Sequence, residues 1–152
     1  MRIVAIAEWL GATVRYAPHK GELAGMLIRD DAERGIVIGV NSLHHPNRQR
    51  FTIAHECGHL LLHKGKRSFV DRSFRIDRRD EVSSQATDAE EIEANRFAAE
   101  LLMPHQMIKE DLMARRPDIE DEDELRELAD KYGVSLQAMM LRIRTVVENA
   151  WF

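Results

Sequence analysis

His55-Glu56-Cys57-Gly58-His59 sets two imidazoles four residues apart, with a carboxylate directly after the first. On a helix, residues four apart lie one above the other, about 6 Å apart along the axis. Their ring nitrogens can converge on one metal ion at about 2.0–2.1 Å, the distance zinc takes to imidazole. Glu56 stands next to them, in reach of a proton on a water polarised by the ion. This is the H-E-x-x-H pattern of metal-assisted peptide hydrolysis. The bland alternative is a pair of satisfied core histidines. The setting speaks against it, because the run 48–63 is apolar on nearly every side through Phe51, Ile53, Ala54, Cys57, Leu60, Leu61 and Leu62. Burying two histidines and a glutamate there is costly unless they are paired or hold a metal.

A catalytic zinc site takes three protein ligands and leaves a position for water. His63 is four residues beyond His59, but it stands about 12 Å from His55 along a straight helix, too far to share an ion. The elongated H-E-x-x-H-x-x-G-x-x-H pattern also fails, since Gly65 occupies its last histidine position. His63 reads as a neighbour of a ligand or a helix-end polar group. The third ligand is better sought in residues 90–102. The face through Ala94, Asn95, Ala98, Leu101 and Leu102 runs back by threes and fours to Glu91. Small residues on that face let two helices approach. Asn95, one turn after Glu91, is suited to hydrogen-bond a ligating histidine and fix its tautomer. Glu93 instead continues toward Arg96 and Glu100, a solvated stripe. Acidic residues at a helix start also complement its dipole, with Thr87 or Asp88 as cap. That explains Glu90 well and Glu93 adequately, but an inward Glu91 poorly.

These side chains need a scaffold. Residues 1–10 read as a short helix. Residues 12–16 alternate as a strand, and 25–29 and 35–40 flank a polar turn as a β-hairpin. Pro46 suits the first turn of the helix that carries the histidines. Residues 64–86 form a long polar stretch, with seven basic and two acidic residues between Lys64 and Arg79. Helices follow at roughly 88–102, 105–115, 120–132 and 135–149, the last capped by Ser135. The expectation is a small α+β, zincin-like single domain over residues 1–152. A short three-stranded sheet packs on the H-E-x-x-H helix, and the C-terminal half is helical.

The chain of 152 residues is 44% hydrophobic and 32% charged, an ordinary globular balance. A net charge of −4 gives no general case for nucleic acid or anionic membrane. No run of 18 uncharged apolar residues exists, so no membrane span is expected. The apolar start is short, contains Glu8 and lacks a clear cleavage site, so no signal peptide is expected. The single cysteine, Cys57, excludes an intrachain disulfide and fits a reducing cytoplasm.

The blocks Ile38-Gly39-Val40-Asn41, Arg50-Phe51-Thr52-Ile53-Ala54-His55-Glu56-Cys57-Gly58-His59-Leu60-Leu61-Leu62-His63, Glu91-Ile92-Glu93-Ala94-Asn95-Arg96-Phe97-Ala98-Ala99-Glu100-Leu101-Leu102-Met103-Pro104 and Tyr132-Gly133-Val134-Ser135 occur in this order, followed by Arg142. In combination they resemble the ImmA/IrrE-type metallopeptidases, a bacterial and phage group of the gluzincin class. The resemblance implies zinc as cofactor, with manganese as an assay substitute. It puts Glu91 in the ligand place of an E-x-x-A-D/N signature and Asn95 beside a ligand. Cys57 departs from the leucine often found there and should affect only packing. The resemblance further implies a regulatory endopeptidase that makes a single cut in a partner helix-turn-helix repressor, relieving its repression.

In such a mechanism Glu56 is the general base. Candidates for an additional oxyanion donor are His44, His45, His63 and Tyr132, with plain loop roles favoured for His44 and His45. A substrate segment could add to the edge of the strand at 35–40. The basic 64–86 stretch either recognises the partner or is a solvated loop. One rival reading is a DNA-binding regulator with a structural zinc, because residues 120–150 look like a helix-turn-helix. Charge opposes it, since residues 118–130 carry eight acidic side chains and one basic one. Another rival is an interaction module with an inactive site; the intact histidines and Glu56 weigh against it.

Overall fold

The structure is a computed structural model that describes residues 2–21, 23–30, 35–64, 68–70, 88–115, 117–118 and 121–149. In chain order the elements are α1 (Ile3–Trp9), β1 (Ala12–Ala17), β2 (Gly25–Asp30), β3 (Gly35–Asn41), α2 (Pro46–Leu62), β4 (Ser68–Val70), α3 (Asp88–Leu102), α4 (His105–Arg115), α5 (Glu122–Tyr132) and α6 (Leu136–Asn149). The class is α+β with a helical C-terminal half, as the patterning predicts. The chain divides into two compact units, Met1–Ala98 and Ala99–Phe152.

In the first unit the sheet runs in the order β1-β3-β2-β4. β2 and β3 form the expected antiparallel hairpin with Leu27 opposite Ile38. β1 lies parallel to β3, with Val14 opposite Ile38. Two features differ from the sequence reading. β4 adds a fourth strand, antiparallel to β2, inside the basic stretch read as a loop. The rest of that stretch beyond Lys64, and the alternative cap Thr87, lie outside the described residues. More importantly, β3 is paired on both sides, so its backbone groups are already used and it offers no edge to a substrate. A hairpin reading could not show this, because the parallel partner β1 comes from before the hairpin.

One sheet face is packed. Leu27, Ile38 and Val40 are buried with Ile53, Ala54 and Cys57 of α2. Alternation along β2 leaves Ile28 on the other face, partly exposed. α2 sits unusually close to the sheet. A Cβ placed on Gly25 would meet Thr52 Cγ2 at 2.3 Å and Gly39 O at 2.9 Å. Only glycine lets β2 and α2 come this near, one turn before Glu56.

Both ends of α2 are tied down. At the start, Pro46 takes the first turn and His45 Nδ1 accepts from the Asn47 N–H at 3.2 Å. Just before it, buried Asn41 accepts from the His19 and Leu43 N–H groups, both at 3.1 Å. Its amide also donates to the His19 and Leu23 carbonyls, both at 2.9 Å. The chain thus enters α2 from a fixed point. At the far end, Arg29 of β2 donates to the carbonyls of His63 at 3.1 Å, His59 at 3.0 Å and Leu60 at 3.1 Å. A guanidinium there satisfies acceptors that a helix C-terminus leaves open and complements the negative end of its dipole.

The second unit is helical. Asp121 caps α5, and the αL residue Gly133 closes it through N–H bonds to the Ala129 and Asp130 carbonyls. Ser135 Oγ accepts from the Ala138 N–H at 3.1 Å, the cap expected for α6. Leu125, Leu128 and Ala129 of α5 and Met139, Ile143 and Val146 of α6 are buried. Arg142 holds the turn after α3, donating to the Met103 carbonyl at 2.8 Å and pairing with Glu100.

Truncating Arg29 leaves three carbonyls at the end of α2 without its charged donor. Arg29→Ala should lower stability in urea unfolding by about 1.5–3 kcal/mol, the range for charge-assisted hydrogen bonds. Arg29→Lys should recover only part, because an ammonium lacks the planar fork. A full recovery by lysine would mean that charge alone, and not the fork, holds the helix end.

Candidate metal centre

The eight residues Thr52 to His59 of α2 are all buried. They include His55 and His59, and Glu56 at 0% exposure. A helix with polar groups so deep requires partners from elsewhere, and α3 brings them. The two helices meet where a Cβ on Gly58 would lie 3.1 Å from Ala94 Cα, 3.2 Å from Ala94 O and 3.2 Å from Phe97 Cδ1. The glycine of the motif is therefore the contact point for α3, with fully buried Ala94 against it. The small-residue face read from the sequence is the face that makes this approach.

That contact places Glu91 on the histidines. Its Oε2 is 3.3 Å from His55 Nε2 and its Oε1 is 3.3 Å from His59 Nε2. The two Nε2 atoms are 3.0 Å apart. One ligand atom from each of His55, His59 and Glu91 lies within 4.8 Å of the others, a group that could hold a metal ion. Ligands about 2.05 Å from a tetrahedral ion stand about 3.3 Å apart, so the separations fit such a site with little adjustment. The protonation states fit as well. Burial pushes the Glu91 carboxyl up, but hydrogen bonds and charge from His55 and His59 outweigh it and bring it down to about 2. Burial pushes the His59 imidazole down, and the Glu91 hydrogen bond opposes this without reversing it. An anionic carboxylate and a neutral imidazole are the forms that bind metals.

The remaining ring nitrogens are also engaged. His55 Nδ1 is 3.0 Å from Asn95 Oδ1, an acceptor that favours the Nδ1–H tautomer, the form whose Nε2 lone pair can take a metal. His59 Nδ1 is 2.9 Å from His63 Nδ1. His63 Nε2 is in turn 3.0 Å from Glu93 Oε2. His63 thus lies against His59 and Glu93. Glu93 is 59% exposed, in keeping with the solvated stripe, and from there it also reaches His63, a contact the sequence reading does not include. The signal available was its place beside Ala94: on a helical wheel Glu93 and Asn95 flank the small contact residue on opposite sides.

Glu56 lies against the start of β2, with Oε1 3.5 Å from where a Gly25 Cβ would stand. Cys57 is fully buried. Burial, then the charge of Glu56, pushes its thiol up to about 12, so it is an inert packing group. Of the other oxyanion candidates, His45 caps α2, and His44 Nε2 is 3.4 Å from Asn41 Nδ2. Tyr132 donates its hydroxyl to Asp111 at 2.6 Å within the second unit.

Two histidines of an H-E-x-x-H helix and a glutamate from a second helix define a metallopeptidase-type centre. A family model described as Peptidase_M78, IrrE N-terminal-like domain, matches residues 7–144, and the chain belongs to that family. No curated protein matches the chain.

The spacing at Gly58 yields a test of how Glu91 is positioned. Gly58→Ala asks its neighbours for a few tenths of an ångström and should keep metal content near parental. Gly58→Val should push α3 away and lower metal content sharply in elemental analysis. Parental metal in the valine variant would show that the contact does not set Glu91.

Proposed function

We propose that the protein is a zinc-dependent metalloendopeptidase that cuts a partner helix-turn-helix transcriptional repressor at one site. The observation that carries this reading is the convergence of His55, His59 and Glu91 with Glu56 alongside on the same helix. Membership of the Peptidase_M78 family supports peptide hydrolysis. We assign residues 1–152 to one metallopeptidase domain, with 120–150 as an element within it.

His55 Nε2, His59 Nε2 and a Glu91 oxygen would hold the ion. When bound, zinc supplies Lewis acidity that favours deprotonation of water and polarises a carbonyl. Glu56 takes the proton as water attacks the scissile carbonyl and passes it to the leaving amine. Asn95 keeps His55 in the tautomer that binds. Burial of the histidines and Glu56 places them in a low-dielectric setting, where electrostatic interactions are stronger than in water.

No helix among the described residues is long and apolar enough to cross a membrane. A cytoplasmic setting and a repressor substrate are part of the proposal. The helix-turn-helix-like sequence of residues 120–150 favours a DNA-binding alternative, but the acidic run at 118–130 opposes phosphate contact. A salt-dependent gel shift with the purified protein would support that alternative.

The direct experiment incubates the protein with zinc or manganese and the repressor encoded beside its gene. One pair of fragments, read by mass spectrometry, is expected. Glu56→Gln should retain the metal and lose at least about 100-fold in cleavage rate, the usual scale for a general base. Retained cleavage would sink that assignment. Glu91→Ala should lower zinc content in elemental analysis, and full occupancy would move the third ligand elsewhere.

A further inference from the structure

We infer that Glu93 and His63 are a positioning pair that favours the Nδ1–H tautomer of His59, the form that binds a metal through Nε2. The inference rests on the metal-centre reading above and extends it to residues outside the ligand set.

The hydrogen bonds run in one workable direction. His59 faces His55 and Glu91 with Nε2, so a ligating His59 carries its proton on Nδ1. That nitrogen is 2.9 Å from His63 Nδ1. Two ring nitrogens at this separation need one donor and one acceptor. With His59 donating, His63 Nδ1 is the lone-pair nitrogen, and neutral His63 has its proton on Nε2. Nε2 is 3.0 Å from Glu93 Oε2, and an ionised carboxylate only accepts. The relay from His59 to Glu93 is then satisfied, and the Nε2 lone pairs of His55 and His59, 3.0 Å apart and each 3.3 Å from a Glu91 oxygen, are left for the ion.

The reverse order does not suit a ligating His59. If neutral His63 donated from Nδ1, its Nε2 lone pair would face the Glu93 carboxylate. His59 would then accept on Nδ1 and carry its proton on Nε2, which removes the lone pair meant for the metal. Glu93 therefore selects the His59 tautomer through His63, as Asn95 Oδ1 selects that of His55 directly. The arrangement lengthens the carboxylate–histidine–zinc relation by one imidazole. Its middle member is held in place. The His63 side chain is 6% exposed, and Arg29 binds the His63 carbonyl at 3.1 Å. Glu93 is 59% exposed, so truncating it disturbs no packing.

Two measurements test the pair. Zinc affinity is read by competition with a chromophoric chelator. Glu93→Ala and His63→Ala should each weaken it about 10–100-fold, the usual effect of removing an outer partner of a ligand. Glu93→Gln, whose side-chain carbonyl still accepts from His63 Nε2, should stay within several-fold of the parent. The double variant should be no worse than His63→Ala alone, since both act along one path. The second measurement is long-range ¹⁵N–¹H correlation NMR of the histidine rings in metal-free protein. The parent should show a larger share of His59 Nδ1–H than Glu93→Ala does.

Unchanged affinity in Glu93→Ala, an unchanged His59 tautomer, or a loss in Glu93→Gln as large as in Glu93→Ala would each overturn the pair. Failure of the metal-centre reading looks different, because His55→Ala and Glu91→Ala would then bind zinc as tightly as the parent.

Discussion

Burying two imidazoles and a carboxylate in the middle of one helix is the constraint on which the first unit depends. Each of these groups loses water on folding and must regain a partner. The α2 backbone cannot supply them, because its groups are bonded within the helix. For the histidines, carboxylate and amide partners come from α3, and they reach only if α3 lies almost on the α2 backbone. Gly58 and Ala94 make that approach possible. Glu91, Asn95 and Glu93 of α3 then fall on His55, His59 and His63.

The sheet makes the same demand from the other side. Gly25 lets Thr52 press on β2, and Arg29 of that strand closes the last turn of α2. Asn41, at the end of β3, fixes the segment leading into the helix. α2 is therefore held at entry, middle and exit by groups with little freedom to rotate. A ligand set carried on such an element keeps its geometry without help from the metal, which lowers the reorganisation that binding requires.

Much of this was legible in the sequence because it rests on periodicity. The four-residue spacing of His55 and His59 fixes their shared face. The Ala94–Ala98 stripe points to a close helix contact and to Glu91 on its margin. Strand alternation at 12–16 and the two runs of the hairpin gave the sheet nearly complete. What escaped involves pairs chosen by tertiary register. Nothing local says that β1 joins β3 in parallel, and so β3 looked like an edge. Arg29 reads as an ordinary polar strand residue until α2 ends above it. Glu93 lies two residues from Glu91, which points it away on a lone helix; only the second helix beside it brings it to His63.

Cys57 stands between Glu56 and Gly58, fully buried, with a thiol that stays protonated at any ordinary pH. It is also the only cysteine in the chain. An alkylating reagent can reach it only when the centre of α2 opens, and it then leaves a single mark. The rate of that labelling is a clock for the opening of this helix under native conditions. The residue that takes no part in the chemistry is thereby a built-in reporter of how firmly the chemistry is held.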